Sequence, residues 1–596
     1  MSKKYNSLLK KYYGYDELKD KQYEVIKAVV DDKRDVCGVL ATGYGKSVCY
    51  QLPYLLTKKN VIVISPLIAL MQDQKADLIK RKIPVCSLDS TNKNKKSEKI
   101  KIIMGEAKII YITPEYLTSC EIFIKDLYDA GSICCVAIDE SHCVSSWGIE
   151  FRTAYTQLNI FKEWMPDIPI IALTATATSK VRCDIIKMLH LKDPIVVTGG
   201  FYRQNLNIFA KKKTDIEYDL RKILAERGKE YVIIYCRTRD ETSKIADCVK
   251  KIGINALPYH AGMYDDERHD IQMAFIEGRL KCIVATIAFG MGINVPNVRT
   301  VIHCGCPKNM ESYYQEIGRA GRDGKPSNCY MIYSDKDFTL NRFFIKDIKS
   351  AKHKTYLELQ NKEIEKYSYS SDCRWKQLLV HFNETLNDNC GNCDNCLNKN
   401  TIKYDDITCE SYQILSLINS MSWSYGMTMI IDILVGSKNK KINASLIKSP
   451  FYDCARLNKQ KITKDNLKNI IRSLTFMNYI DSTLMEGAFS GGTVLKCSEK
   501  GIMWLMNARE TYEIGHDDAC LNDIHRNMKK KDKILSQNND NNHDEENEIK
   551  IKNDVKIKPK IKKITVKKKT TKVKHYDDID DISENDDDNE DILMKF

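Results

Sequence analysis

Residues Cys134–Arg152 read CCVAIDESHCVSSWGIEFR. The run from Cys134 to Ile138 is apolar without alternation, the pattern of a strand buried on both faces of a parallel sheet. It ends in adjacent carboxylates, Asp139 and Glu140, followed by Ser141 and His142. A buried strand that delivers an acidic pair to its carboxyl end is how nucleotide-hydrolysing folds hold a metal and position a water. The loop beyond carries Trp147, Phe151 and Arg152, side chains suited to stacking on single-stranded nucleic acid. Both features in one short stretch suggest a device that lets hydrolysis and strand contact sense each other.

Similar apolar runs lie on either side. VIVIS (Val61–Ser65), IIYIT (Ile109–Thr113) and IIALTAT (Ile170–Thr176) alternate with helical patterns from about Lys21 to Gly199. This predicts an α/β lobe around a parallel sheet. After a break near Gly199 the alternation restarts with YVIIYC (Tyr231–Cys236), CIVAT (Cys282–Thr286) and TVIHCG (Thr300–Gly305), which predicts a second doubly wound lobe. Beyond about Asp335 the pattern is helical, with a cysteine cluster from Cys373 to Cys396, and Tyr404 to Met506 reads as a small helical unit ending in two extended runs around SGG. From about Gln537 the chain is rich in Asn, Asp and Glu, then lysine-rich (Lys550 to Lys574), then acidic (Asp577 to Asp591). Segregated charge blocks with few aromatics bury too little apolar surface to fold alone, so a disordered tail is expected. The expected limits are 1–205 and 206–345 for the two lobes, 346–400 for a helical metal-binding subdomain, 401–510 for the small helical unit and 511–596 for the tail.

At 596 residues the chain is too long for one core. Its 29% charged and 43% hydrophobic residues suit a soluble globular protein. No apolar run reaches bilayer length, and the N-terminus lacks the apolar block of a signal peptide, so an intracellular protein without membrane partners is expected. The 22 cysteines then read as thiols or metal ligands rather than a disulfide framework. A net charge of +13 permits an anionic partner without proving one.

ATGYGKS, Ala41 to Ser47, follows the apolar run VCGVL. Gly43 and Gly45 would let the backbone from Thr42 through Tyr44 approach phosphate oxygens, Lys46 would reach the β- and γ-phosphates of ATP, and Ser47 would take Mg²⁺. Leu40 stands where the strict form of this loop has its first glycine. Asp139 would hold Mg²⁺ and Glu140 would polarise the attacking water. Cys373, Cys390, Cys393 and Cys396 form C-x16-C-x2-C-x2-C, four thiols suited to tetrahedral Zn²⁺ in a closed structural site, with an iron–sulfur cluster as the alternative.

With these motifs in order, the chain resembles RecQ-family DNA helicases of superfamily 2 from roughly Tyr15 to Cys497. GYDELKDKQ (Gly14–Gln22) is similar to the family's adenine-recognition motif, with Tyr15 and Gln22 in the base-stacking and base-reading positions. Lys19 stands where the family usually has arginine, and a planar guanidinium stacks on adenine better than an ammonium, so a weaker preference for ATP is expected. SPLIALMQDQ (Ser65–Gln74) and TPE (Thr113–Glu115) resemble strand-contact motifs, and ALTATAT (Ala172–Thr178) a lobe-coupling motif. IIYCRTR (Ile233–Arg239), YHAG (Tyr259–Gly262), ATIAFGMGIN (Ala285–Asn294) and QEIGRAGRDG (Gln315–Gly324) match the second lobe. The resemblance implies that Gln315, Arg319 and Arg322 reach across the cleft to the γ-phosphate.

VSSWGIEFR resembles the family's aromatic-rich loop at Trp147, Phe151 and Arg152. Ser146, Ile149 and Thr153 replace the usual glutamine, histidine and proline, and Glu150 replaces an aspartate, which bears on coupling. Packing into the core is the other reading of Trp147 and Phe151. Residues from about Tyr404 resemble the family's winged helix. There ILVGSKNKKI (Ile433–Ile442) offers Ser437, Lys438 and further lysines to duplex phosphates. NYIDSTLMEGAFSGGTVLKCS (Asn478–Ser498) reads as a hairpin with Phe489 near its tip, either a wedge at a fork or ordinary packing. Lys567–Lys569 could be a nuclear signal, a DNA tether or a soluble spacer.

The resemblance thus implies two RecA-like lobes, a zinc subdomain, a winged helix and an ATP-dependent helicase moving 3′ to 5′ on single-stranded DNA, with forks or junctions as partners in DNA repair, recombination or replication. The nucleus is the expected compartment and the cytoplasm the alternative. An RNA helicase of the same superfamily and a DNA-bridging or annealing scaffold are the competing functions.

Overall fold

A computed structural model of the chain describes residues 3–92, 94–145, 152–225, 227, 230–290, 295–398, 407–421, 424–457, 460–484 and 493–506. The chain divides into two units, 1–403 and 404–596.

In the first unit, seven strands form one parallel sheet: β1 (Val36–Leu40), β2 (Asn60–Ile64), β3 (Val85–Leu88), β4 (Ile109–Ile112), β5 (Ile133–Ile138), β6 (Ile170–Thr174) and β7 (Ile195–Gly199). Their order is β3-β4-β2-β5-β6-β1-β7. β1, β2, β4, β5 and β6 are buried along their whole length, because helices cover both faces. A second parallel sheet has the order β10-β11-β9-β12-β13-β8. Its strands are β8 (Leu206–Lys212), β9 (Tyr231–Cys236), β10 (Ala256–Tyr259), β11 (Cys282–Ala285), β12 (Val298–Cys304) and β13 (Ser327–Tyr333). The cysteines of both lobes carry free thiols, and most are small buried core residues.

Helices Asp335–Lys346, Ala351–Tyr369, Arg374–His381 and Asp394–Leu397 follow. They share the core of the lobes: buried Trp375, Leu378, Leu379 and Phe382 belong to the same apolar cluster as Ile138, Phe201 and Tyr314. Trp375 Nε1 donates to Leu206 O at 3.0 Å, which satisfies the one polar atom of that buried indole.

The structure differs from the sequence expectation in detail. The run read as a strand to Thr176 stops at Thr174, because Thr176 N donates to Thr174 Oγ1 at 3.2 Å and the local turn replaces ladder pairing. β3, β7, β8, β10 and β13 carry no clear apolar signature of their own, being at or near the sheet edges, where burial is incomplete in β3, β7, β8, β10 and β13.

The second unit contains helices Thr408–Ser420, Met427–Leu434, Ala444–Lys448, Lys464–Phe476 and Glu499–Met506 around a core that includes Ile414, Ile430, Leu474 and Trp504. β14 (Arg456–Leu457) pairs antiparallel with β15 (Gln460–Lys461). β16 (Ile480–Leu484) pairs antiparallel with β17 (Thr493–Cys497) from Ile480↔Cys497 to Leu484↔Thr493, the two arms of the expected hairpin. Its tip, with Phe489, lies outside the described residues, as does the charged tail. No helix among the described residues is long and apolar enough to cross a membrane.

Candidate active site and nucleic-acid interface

The site is assembled at the carboxyl ends of β1 and β5, where Thr42 meets Gly318 and Glu140 lies near Arg319 and Arg322 of the second lobe. After β1 the chain turns through Ala41–Gly45 into helix Lys46–Thr57. Gly43 (φ +79°) and Gly45 (φ +91°) take left-handed backbone, which explains both glycines. Leu40 is the last residue of β1 and fully buried, so the position needs an apolar strand residue and not a glycine.

A loop that turns its amides toward a phosphate presents carbonyls on its other side, and here three of these meet side-chain donors. Gln22 Nε2 donates to Tyr44 O (3.1 Å) and Gly45 O (3.0 Å). Lys19 Nζ donates to Tyr44 O (3.1 Å) and lies 4.6 Å from the Tyr44 ring centroid. Arg203 Nη1 donates to Thr42 O at 2.9 Å. Gln22, the expected base reader, thus spends its amide hydrogens on the phosphate loop, and its Oε1 accepts from Lys19 N at 3.0 Å. Tyr15 is exposed, as a stacking platform requires. Lys46 Nζ rests on Leu40 O at 3.4 Å. Ser47 Oγ accepts from Gln74 Nε2 (3.0 Å), and Gln74 Oε1 accepts from Gln51 Nε2 (2.9 Å), tying the expected magnesium ligand to helix Ile68–Lys80 of the strand-contact motif.

Asp139 and Glu140 follow β5. Tyr50 OH donates to Asp139 Oδ2 (3.4 Å), and Tyr155 OH to Asp139 O (3.0 Å). Glu140 sits at φ +49°, ψ +44°, a conformation that costs energy for a residue with a Cβ. His142 is fully buried; its Nδ1 lies 2.8 Å from Thr174 Oγ1 and 3.3 Å from Glu140 Oε2. Burial and the Glu140 charge push Asp139 up to about 6. Burial acts the same way on Glu140, but His142 and Lys46 outweigh it and lower its pKa to about 2. The hydroxyl of Thr42 and Glu140 Oε2 are buried with no hydrogen-bond partner among the described residues. A hydroxyl and a carboxylate, Ser47 and Asp139, are the hard oxygen donors that suit Mg²⁺.

From the second lobe, helix Met310–Ile317 carries half-buried Gln315 and ends at Gly318, against Thr42. Arg319 is buried and donates to Gly290 O. Burial, with Arg319 and Arg203 nearby, lowers Arg322 to about 10. Buried beside two other guanidiniums, Arg322 adds to the positive charge of the cleft, which suits a triphosphate.

On the strand side, Arg152 N donates to Cys143 O (3.0 Å) and closes the loop after the acidic pair. Arg152 Nη1 donates to Pro66 O (2.8 Å) and lies 3.9 Å from Glu115, so one side chain joins this loop to both strand-contact motifs. Trp147 and Phe151, with Ser146 and Ile149, lie outside the described residues. In the second unit, Ser437 N donates to Asp432 O (2.8 Å) in the turn after helix Met427–Leu434, and Lys438, Lys440 and Lys441 are exposed.

The four cysteine sulfurs lie within 4.8 Å of one another, and Cys390 Sγ is 3.7 Å from Cys396 Sγ. Zn–S bonds of about 2.3 Å put tetrahedral sulfurs ~3.8 Å apart, so the quartet fits zinc. Amides of Cys390 and Arg374 donate to Cys373 Sγ (3.3 Å) and Cys393 Sγ (3.4 Å), the hydrogen bonds that stabilise thiolates.

Sequence reading missed Arg203, Gln74 and Tyr50. Gln74 stands in the strand-contact motif Ser65–Gln74, and nothing in that motif announces its bond to Ser47. Arg203 stands in no recognised motif; only its position just past the Gly199 break could have drawn notice.

Four family models match in succession: DEAD/DEAH box helicase over residues 19–183, helicase conserved C-terminal domain over 216–324, RecQ zinc-binding over 335–397 and RQC domain over 401–516. An Acanthamoeba polyphaga mimivirus protein, provisionally named ATP-dependent RNA helicase R290, is 40% identical over 85% of this chain and 93% of its own length. The ATP-dependent DNA helicase RecQ of Bacillus subtilis is 39% identical over 73% of this chain and 74% of its own. The mouse bifunctional 3'-5' exonuclease/ATP-dependent helicase WRN is 38% identical over 73% of this chain, which spans 32% of that longer protein.

Proposed function

The chain belongs to the RecQ family of ATP-dependent DNA helicases, and from that premise we propose that it translocates 3′ to 5′ on single-stranded DNA and unwinds forks or junctions. The observation that carries the reading is the meeting of both lobes at one cleft: phosphate loop, acidic pair and the Gln315–Arg322 segment converge where Gly318 touches Thr42.

In this reading the amides of Gly43–Ser47 and the Lys46 ammonium receive the triphosphate, and Tyr15 stacks on the adenine. Ser47 and Asp139 would hold Mg²⁺, which would supply neutralisation of phosphate charge. Glu140, kept ionised by its neighbours, accepts the proton of the attacking water, while Gln315, Arg319 and Arg322 stabilise the charge that develops on the γ-phosphate. Loss of that phosphate removes the anion these arginines share, and the lobes part. Arg152, bonded to Pro66 O, passes the change to the strand-contact motifs, with Trp147 and Phe151 on the strand. Ser437 and Lys438 hold duplex phosphates, and Phe489 stands at the fork. The same reading keeps domain limits near residues 205, 345, 400 and 510, and the Lys567–Lys569 block supports a nuclear location.

Unwinding of tailed duplexes of both polarities, with ATP, tests the proposal. Lys46→Ala should abolish ATPase and unwinding together, and unwinding only from 5′ tails would overturn the polarity. A second reading, RNA helicase, is favoured by the name of the 40% identical mimivirus relative. ATPase stimulation greater with single-stranded RNA than with single-stranded DNA of the same sequence decides for it.

A further inference from the structure

Arg203 lies in the strap that joins the two sheets, between the end of β7 at Gly199 and the start of β8 at Leu206. All five of its N–H groups have an acceptor. Nε faces Asn205 Oδ1 at 3.3 Å, and Nη1 reaches Thr42 O in the first lobe at 2.9 Å. In the second lobe Nη1 reaches Gly318 O (3.5 Å), and Nη2 reaches Ala320 O (3.0 Å) and Gly321 O (2.7 Å). These last carbonyls follow helix Met310–Ile317, where backbone acceptors lack intrahelical donors and a cation is favoured.

The turn that Arg203 grips is the one that displays Arg319 and Arg322. On its other side the guanidinium packs against the phosphate loop, since a Cβ at Gly43 would lie 3.2 Å from Nη1 and 3.7 Å from Arg322 Cγ. The rest of the strap is held equally closely. Gly200 (φ +77°) passes the Tyr44 ring so tightly that a Cβ there would lie 2.7 Å from it. Phe201 O accepts from Tyr314 OH (2.9 Å), and Phe201 N donates to Glu384 Oε2 (3.1 Å). The Phe201 ring stacks on Phe382 at 4.7 Å, 2° from parallel.

We propose that Arg203 is a positioning residue for hydrolysis: its guanidinium reads the phosphate loop through Thr42 O and sets the Gly318–Gly321 turn, so that Arg319 and Arg322 meet the γ-phosphate only when the loop is in place. The geometry suits a planar fork, which bridges two backbone segments at fixed spacing where an ammonium cannot. Its acceptors are carbonyls, so Arg203 itself adds little to nucleotide affinity and acts through the arginines it places. The inference rests on the proposed role of Arg322.

The test is a double-variant cycle in the full-length protein: R203A, R203K, R322A and R203A/R322A, each measured for DNA-stimulated ATPase, affinity for a fluorescent ADP and thermal melting. R203A should lower kcat on the order of 10²-fold, the loss expected for a catalytic group misplaced by about 1 Å. R203K should fall between R203A and the parent, and ADP affinity should stay within about threefold of the parent. R203A/R322A should be slower than R322A by no more than about twofold, because the two residues act as one. Four results overturn the proposal: R203A at parental kcat, R203K at parental kcat, ADP affinity falling in step with kcat, or full multiplication of the two losses as for an independent structural cap. If R203A does not fold, R203K and R203K/R322A carry the same cycle. R322A at parental kcat removes the arginine role and this inference with it, whereas slow R322A with normal R203A removes this inference alone.

Discussion

Gly318→Ala should leave the fold intact and slow the enzyme. Gly318 sits at φ −61°, ψ −11°, right-handed helical backbone that alanine also adopts, although a Cβ there would lie 3.0 Å from Tyr314 O in its own lobe. On backbone grounds the change stabilises, by about 0.4–1 kcal/mol, through the unfolded chain. Across the cleft the space is missing. A Cβ at 318 would lie 2.9 Å from Thr42 Cβ and 3.2 Å from Thr42 Oγ1. Apolar carbons rest about 3.5–4.0 Å apart, so the arginine turn and the phosphate loop must separate by roughly 0.6–1 Å. Displacement of that size costs on the order of 10²-fold in a reaction that depends on alignment, or ~2.7 kcal/mol of barrier. Steady-state phosphate release with saturating single-stranded DNA reads kcat, while fluorescent ADP binding and a melting curve report loop and fold. The expected outcome is kcat reduced about 10²-fold with Tm close to the parent's, the unfolded-chain gain offsetting the tight contact with Tyr314 O. Parental kcat together with parental Tm refutes the reasoning, because it means the lobes do not meet at Thr42 during catalysis.

Burial is the larger cause of the raised Asp139 and the Glu140 charge the second, so replacing Glu140 by Gln should let Asp139 ionise at lower pH and shift the acid limb of Mg²⁺-dependent nucleotide binding downward; an unmoved limb counts against the pairing. In stability the two carboxyls act oppositely. The raised Asp139 favours the metal-free fold at low pH and loses that contribution as pH rises through about 6, while the lowered Glu140 contributes above its ordinary value near 4.5 and loses it as pH falls through about 2. Chelating zinc, or Cys393→Ser, should lower Tm by roughly 10 °C, because the cysteine helices share a core with the lobes; release of one zinc with no change in melting would contradict this. Lys19→Arg should raise the ratio of ATP to GTP kcat/KM by about 2- to 5-fold through stacking on the base, measured by competition, and an unchanged ratio argues that Lys19 serves only the Tyr44 carbonyl.

The central strands are legible because both faces are buried, and an apolar run records that directly. β7 and β10 are not, since partial exposure dilutes the pattern, and β10 contains Pro258. The substitution at Leu40 is a departure only on paper, as the position is the buried end of β1. Gln22 shows the opposite case, where its residue type matches the adenine-recognition position yet its amide hydrogens go to Tyr44 and Gly45.

What the sequence by itself determined is every device whose parts are neighbours in the chain: the phosphate loop, the acidic pair at the end of β5, the cysteine spacing and the GRAGR turn. Their chemistry requires residue types at fixed short intervals, so the requirement is written in the sequence. What only the tertiary structure decided is how these devices are held together across the cleft. Arg203 meets a carbonyl 161 residues away, Gln74 meets Ser47, and Gly318 meets Thr42. The acceptors of Arg203 are backbone carbonyls, which every residue carries, and the contact at Gly318 is a matter of available space. Neither leaves a mark on residue type at the receiving end, so no spacing or composition could have announced it.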